Sequence, residues 1–180
     1  MPGRLTRRAA LGGAAAVTLA SCGGGDPAPA GGPEPGSGAA MLRSVTAFEH
    51  AAAAAWVAIG EQLRGDARGY ARRIQAREEE HAERLSTLIR ELGGEPPGGR
   101  PPEEYAPQFA RMHNEDEALR FAADLEERLV RAHLHALQTL PGADQRRTVA
   151  EIAAEEAEDL AVVQALSGEP AAQLAFVTGT

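Results

Sequence analysis

The chain has 180 residues, with 26 acidic and 18 basic side chains, and its formal net charge is −8. This negative balance argues against nucleic acid as a partner, because DNA and RNA binding depends on basic surface charge. The single cysteine excludes an intrachain disulfide, a zinc ribbon and a redox-active cysteine pair. Aromatic residues make up 4% of the chain, so the core must consist mainly of alanine and aliphatic side chains.

Residues 1–22 have the pattern of an export leader and are predicted to lie outside the fold. Three arginines precede an apolar run over residues 9–20, which is too short to span a bilayer as a stable helix. The sequence Leu-Ala-Ser-Cys at residues 19–22 resembles the lipobox of bacterial lipoproteins, and Thr-Arg-Arg at residues 6–8 is similar to a twin-arginine signal. The lipobox resemblance implies a lipid on Cys22 that anchors the exported protein to the outer face of the cytoplasmic membrane. The alternative is an ordinary signal peptide with an incidental cysteine.

Residues 23–40 are rich in glycine and proline and lack apolar periodicity, which is typical of a flexible linker. The folded domain is therefore predicted over residues 41–180. A long Pro- and Gly-rich connection over residues 93–114 suits a crossover along a bundle. The predicted fold class is all-α, an antiparallel four-helix bundle with this crossover between the second and third helices. Helical periodicity places the four helices at about 41–63, 66–92, 114–140 and 143–166.

Each predicted helix carries an acid in the middle of its apolar stripe. Glu49 and Glu78 are equidistant from the first predicted turn, and Glu126 and Glu156 are equidistant from the second. Residues equidistant from the turn of an antiparallel helix pair have the same height, so the acids are predicted to converge near mid-bundle. His81 follows Glu78 by three positions, which places both side chains on one helix face.

Several buried carboxylates in one place need compensation, because each costs several kcal/mol to bury and because they repel one another. No arginine is predicted on the four apolar stripes. The acids must therefore be protonated, hydrated or bound to a cation. Oxygen ligands with one imidazole suit manganese, iron or zinc.

This pattern resembles the ferritin-like superfamily of di-iron and di-manganese bundles, which use one Glu from each of two helices and a Glu-x-x-His from each of the other two. Glu49 and Glu126 match the single glutamates, and Glu78 with His81 matches the first Glu-x-x-His. Asp159 stands where the second motif has histidine. More narrowly, the leader, the segment Phe-Glu-His-Ala at residues 48–51 and the Phe-Val-Thr-Gly tail are similar to exported bacterial ferritin-like domain proteins.

The resemblance implies one or two iron or manganese ions per chain in the bundle centre. With Asp159 in place of histidine, we expect a weakened second position, a different metal there, or a site that is kept only in part. The resemblance assigns no catalytic residue. The metal ligands that it implies are Glu49, Glu78, His81, Glu126, Glu156 and Asp159.

Two functions remain open at this point. The chain is either a metal-binding protein, with oxidoreductase activity undecided, or a non-catalytic helical lipoprotein, a scaffold or binding module, with a degenerate site. A homodimer is compatible with both, although no interface is evident in the sequence. His133 is interpreted as a hydrogen-bonded core histidine rather than a ligand, and Trp56 as a packing residue. Glu127 and Glu155 are the alternative ligands if the helix rotation differs by one residue.

Replacing Cys22 with alanine should release the protein from the membrane, because the lipid would have no thiol to which to attach. Fractionation should place the wild-type chain with the membranes and the Cys22→Ala chain in the soluble part of the envelope. Metabolic labelling with a fatty acid should mark the wild-type chain only. Equal membrane association of the two chains would contradict the lipobox interpretation.

Overall fold

The computed structural model of the protein describes residues 37–109 and 112–168. Within these ranges the chain forms five α-helices and no β-strand, which confirms the predicted all-α class. None of these five helices is long and apolar enough to cross a membrane. The predicted leader with Cys22 and the C-terminal tail lie outside the described residues. The helices are α1 (Ser37–Gln62), α2 (Gly65–Glu91), α3 (Pro102–Phe109), α4 (Glu115–Leu137) and α5 (Ala143–Leu166).

The four long helices pack as two hairpins that form one bundle. α1 pairs with α2 and α4 with α5, and the hairpins meet where α1 packs on α4 and α2 packs on α5. α1 and α4 run in opposite directions: Trp56 contacts Glu126, whereas Glu49, earlier in α1, contacts His133, later in α4. α2 and α4 are therefore parallel, as the long connection between them requires. This arrangement is the predicted bundle with its crossover.

The start of α1 differs from the predicted boundary between linker and domain. α1 begins at Ser37, inside the segment that composition assigned to the linker. Gly38 is buried against the turn between α4 and α5, where a Cβ atom would lie 3.4 Å from the Thr139 carbonyl oxygen. This close packing explains why the helix extends into a segment whose composition favours a flexible chain.

The crossover contains a short helix, α3, where the sequence predicted only a loop. Glu103 and Glu104 lie in its first turn, where negative charge is favourable beside the exposed N–H groups. Tyr105 is buried, and its hydroxyl accepts a hydrogen bond from the Arg100 N–H at 3.0 Å. α3 packs against α1. Burial of one aromatic side chain thus organises a segment that is otherwise dominated by proline and glycine.

Two apolar clusters fill the bundle, one toward each end. The cluster near the α1–α2 turn includes Ile59, Leu63 and Ile74, and the cluster at the other end includes Leu85 and Ile152. In α1, α2 and α5 the buried acids fall between residues of the two clusters along the chain. The bundle therefore has an apolar–polar–apolar order along its axis, and the polar layer is held between two regions that exclude water.

The N-terminus of α4 is closed by a reciprocal pair of hydrogen bonds. The Asn114 Oδ1 atom accepts from the Glu117 N–H at 2.9 Å, and the Glu117 Oε2 atom accepts from the His113 N–H at 2.9 Å. Side-chain acceptors at this position satisfy N–H groups that have no partner within the helix. This cap fixes where the crossover ends and where the helix carrying Glu126 begins.

Replacing Asn114 with alanine should lower the free energy of unfolding by about 1 kcal/mol, because the Glu117 N–H loses its acceptor. Asn114→Ser is the matched control, since its hydroxyl can accept the same hydrogen bond, and it should remain close to wild type. Urea denaturation followed by circular dichroism measures both. Equal losses in the two variants would contradict the capping role.

Candidate metal centre

All six predicted ligands lie buried in the polar layer, each with 0–1% of its surface exposed. They come from all four long helices, so the centre exists only when the two hairpins are packed together. The spacing of three residues in α2 and in α5 brings each pair onto one helix face. The six residues are Glu49 (α1), Glu78 and His81 (α2), Glu126 (α4), and Glu156 and Asp159 (α5).

The six side chains form two overlapping groups. In the first, which we call the quartet, Glu49, Glu78, His81 and Glu156 each offer one ligand atom, and these atoms lie within 4.8 Å of one another. In the second, the trio, the same holds for Glu78, Glu126 and Asp159. Glu78 belongs to both groups, so the two candidate positions are adjacent and share one carboxylate.

His81 is held by a carboxylate outside the quartet. Its Nε2 atom lies 2.7 Å from Glu155 Oε2, which also accepts from Arg84 Nη1 at 2.9 Å. Glu155 was an alternative ligand in the sequence analysis, and the structure makes it the partner of the histidine instead. Because Nε2 is engaged by a carboxylate, Nδ1 is the ring nitrogen that faces the quartet. Metal-binding histidines commonly have this arrangement, which fixes the ring orientation.

The contact between His81 and Glu156 has the length of a ligand–ligand contact. His81 Nδ1 lies 2.7 Å from Glu156 Oε1, yet the direction is not that of a hydrogen bond. Two ligands that lie about 2.1 Å from one metal ion, at right angles to each other, are about 3 Å apart. The two atoms are thus close enough to share a cation, and without one they form an ion pair when the imidazole is protonated.

Two further buried side chains contact the centre. Trp56, predicted only to pack, donates a hydrogen bond from Nε1 to Glu126 Oε1 at 2.7 Å. His133 is the hydrogen-bonded core histidine that the sequence predicted, because its Nδ1 donates to the Leu129 carbonyl oxygen at 2.9 Å. Its Nε2 also lies 2.9 Å from Glu49 Oε1, a contact that the sequence did not reveal.

Arg77 corrects the expectation that no arginine neutralises the buried acids. Its guanidinium forms an ion pair with Asp159, reaching across from α2 to α5. Arg77 directly precedes Glu78 and lies off the apolar stripe, with 32% of its side chain exposed. A long side chain can reach the core from an adjacent helix column, and stripe patterns in the sequence cannot show this.

Burial dominates the electrostatics of the carboxyl groups. Burial and, to a smaller extent, the nearby Glu156 carboxylate raise the pKa of Glu49 to about 8. Burial likewise raises the pKa values of Glu78 and Glu126 well above their usual range. Burial raises the pKa of Asp159 to about 7, although Arg77 acts in the opposite direction.

The histidine behaves differently from the carboxyl groups. Burial lowers the pKa of His81, but the neighbouring Glu156 and Glu78 outweigh burial and bring the pKa to about 11.

The polar atoms that lack partners fit a metal ion. Both oxygens of Glu49, Glu78 and Glu156 are buried and accept no hydrogen bond of ordinary geometry from any residue in the described ranges, although an imidazole nitrogen lies within 2.9 Å of Glu49 Oε1 and of Glu156 Oε1. Buried polar atoms are almost always paired, and each unpaired atom carries a desolvation cost. A cation bound among these oxygens would remove that cost. The donor set of carboxylates and one imidazole suits manganese, iron or zinc.

Glu127, the other alternative ligand, and the three remaining histidines lie outside the centre. Glu127 is exposed and pairs with Arg131 on the same helix. His113 and His135 are exposed, and the half-buried His50 has its Nε2 3.3 Å from the Pro97 carbonyl oxygen. None of these residues contributes a ligand atom to the two groups.

The fold and the centre together define a helical bundle with a buried carboxylate–histidine cluster. The chain belongs to the ferritin-like domain family, whose sequence model matches residues 39–169. The crystal structure of a conserved hypothetical protein, rv2844, from Mycobacterium tuberculosis is similar in fold, with a TM-score of 0.65. The two chains are 16% identical, and the match covers 75% of this chain and 94% of rv2844. No functionally curated protein matches the sequence.

The metal-free protein should lose stability as the pH rises from 4.5 to about 8. Over this range folded Glu49 keeps a proton that the unfolded chain has released, so the folded state binds more protons. Urea denaturation in the presence of a chelator measures the dependence. Glu49→Gln, which keeps the shape but cannot ionise, should reduce the dependence, and Glu78, Glu126 and Asp159, whose pKa values are also raised, should account for what remains. A free energy of unfolding that rises over this interval would contradict the assignment.

Proposed function

We propose that the protein binds iron or manganese in the bundle centre through the quartet of Glu49, Glu78, His81 and Glu156. The observation that carries this proposal is the convergence of buried carboxylate oxygens that accept no hydrogen bond from the described part of the chain. An ionised carboxylate without a partner is costly in a dry interior. A divalent cation offers compensation to all three glutamates at once.

The support around His81 favours a binding role over simple packing. A buried imidazole needs only its hydrogen bonds to be satisfied, and Glu155 already satisfies Nε2. The charge of Glu155 is in turn balanced by Arg84, which also contacts Glu151. This chain of contacts leads from the surface to the ring and leaves Nδ1 directed at three glutamates. Such outer partners orient metal-binding histidines and raise their basicity.

The alternative function is a non-catalytic bundle, a scaffold or binding module, with a degenerate site. Asp159 favours this alternative, because it stands where the resemblance to di-iron and di-manganese bundles expects a second imidazole. The buried acids would then remain protonated, consistent with their raised pKa values. The two functions differ in one measurable respect: added metal stabilises the folded protein only in the first.

We also propose that the protein is exported and tethered to the outer face of the cytoplasmic membrane through a lipid on Cys22. The pattern of residues 1–22 and the Gly- and Pro-rich segment that follows support this proposal. A bound iron or manganese ion would supply one-electron chemistry toward dioxygen or peroxide, which makes an oxidoreductase the proposed activity. The chain itself holds the ligands and keeps them between two apolar clusters, away from bulk water.

Elemental analysis of the purified full chain tests metal binding. The wild-type protein, prepared without chelator, should contain iron or manganese, and Glu78→Gln and His81→Gln should lose it. Glu80→Gln is the matched control, because Glu80 is exposed on the same helix between the two ligands. Its metal content should equal that of the wild type.

Thermal unfolding provides the second measurement. A free metal concentration of about 100 times Kd should stabilise the wild-type protein by about 2.7 kcal/mol. Glu78→Gln should show no such increase. A wild-type protein that contains no metal and is not stabilised by iron, manganese or zinc would overturn the proposal and leave the non-catalytic bundle.

A further inference from the structure

The ion pair between Arg77 and Asp159 engages only one oxygen of the aspartate. The Arg77 Nη2 atom contacts Asp159 Oδ1, and the guanidinium reaches it from the surface, since Arg77 is partly exposed and Asp159 is 1% exposed. The other oxygen, Oδ2, is buried and accepts no hydrogen bond from any described residue. Arg77 therefore holds the aspartate by one oxygen and leaves the other available.

Glu126 is held in a corresponding way on the other side of the trio. Its Oε1 atom accepts from Trp56 Nε1 at 2.7 Å, while its Oε2 atom is buried and has no partner among the described residues. Glu78 completes the trio with two oxygens that also lack partners. Each carboxylate thus has at least one free oxygen, and one ligand atom from each lies within 4.8 Å of the others.

Arg77 also compensates the charge that Asp159 adds. A histidine at this position would be neutral as a ligand, whereas an aspartate brings one negative charge into a group that is already crowded with carboxylates. The guanidinium cancels that charge, because arginine is always protonated in proteins. The Arg77–Asp159 pair therefore presents the trio with an oxygen ligand at no increase in net charge.

We propose that Arg77 is a positioning residue that holds Asp159 as the third oxygen ligand of a separate metal position, formed with Glu78 and Glu126. This position contains no nitrogen or sulfur ligand, so it takes a hard divalent cation such as Mn²⁺ or Mg²⁺. The inference rests on the proposed function of the quartet, because the two positions share Glu78. The two positions then differ in chemistry: the quartet includes an imidazole, and the trio is built from oxygen alone.

A competing arrangement has the guanidinium itself as the resident cation of the trio. Arg77 would then exclude a metal ion rather than support one. The contacts favour the positioning role, because the guanidinium touches Oδ1 alone and leaves Oδ2, Glu126 Oε2 and Glu78 without a partner among the described residues. The two arrangements predict opposite effects of removing Arg77.

Titration of the metal-free full chain with Mn²⁺ separates these arrangements. Equilibrium dialysis should show two ions per wild-type chain, and electron paramagnetic resonance should show the exchange-coupled signal of adjacent Mn²⁺ ions. Arg77→Gln should weaken binding of the second ion by about tenfold to a hundredfold, as is typical of losing a group that supports a ligand. When Mn²⁺ is limiting, the spectrum of the Arg77→Gln variant should be that of isolated Mn²⁺ ions.

Three variants control for folding and for general electrostatic effects. Arg73→Gln removes an exposed arginine one turn earlier on α2, where it stacks on Tyr70, and should bind as the wild type does. Arg77→Lys keeps the positive charge and should retain part of the affinity for the second ion that Arg77→Gln loses. In an Asp159→Asn background, Arg77→Gln should have little further effect, because the two residues act through one contact.

The outcomes distinguish failure of this inference from failure of the proposed function. A wild-type chain that binds no Mn²⁺ overturns the proposed function, and this inference falls with it. One ion in the wild type and two in Arg77→Gln would show that the guanidinium occupies the position. Unchanged binding in Arg77→Gln, at either stoichiometry, would show that Arg77 does not position a ligand. Each of the last two results overturns the inference while the quartet remains.

Discussion

The burial of five carboxylates in one layer of a helical bundle is the constraint on which the structure depends. Burial in a low-dielectric interior raises the pKa values of four of them, Glu49, Glu78, Glu126 and Asp159, because the charged form loses its hydration. Every polar contact in the layer offsets part of that cost. Trp56 donates to one carboxylate, Arg77 pairs with another, and the imidazoles of His81 and His133 lie 2.7 Å and 2.9 Å from two more. Burial of the two flanking apolar clusters stabilises the bundle and offsets the rest of this desolvation cost.

The centre is not symmetric, although the helices are arranged with near symmetry. On the side of the quartet, a chain of contacts from Arg84 through Glu155 reaches an imidazole. On the side of the trio, a single arginine reaches a carboxylate directly. Asp159, which stands where the resemblance expects a second histidine, is paired with an arginine from the neighbouring helix, so the two sides differ in more than one residue. A ferritin-like fold can in this way hold two adjacent groups of candidate ligands that are chemically unlike.

The sequence predicted the bundle, its crossover and the six buried residues, because apolar stripes and turn positions fix which faces of the helices meet. It did not predict contacts made by long side chains from adjacent columns. Arg77 lies beside the stripe of α2, and only the packing of α5 brings Asp159 within its reach. Trp56 lies on the stripe of α1, but its donor role depends on the position of Glu126, three helices along the chain in α4. α3 was missed because one buried tyrosine outweighs a composition of proline and glycine.

The hydrogen bond from Trp56 to Glu126 links the tryptophan fluorescence of the protein to the polar layer. The chain contains one tryptophan, and that residue is 2% exposed and joined to a carboxylate of the trio. Indole emission depends on the polarity and charge around the ring, so the tryptophan fluorescence of the folded protein originates at one side of the polar layer. Its wavelength and intensity therefore depend on the charge and hydrogen bonding of Glu126.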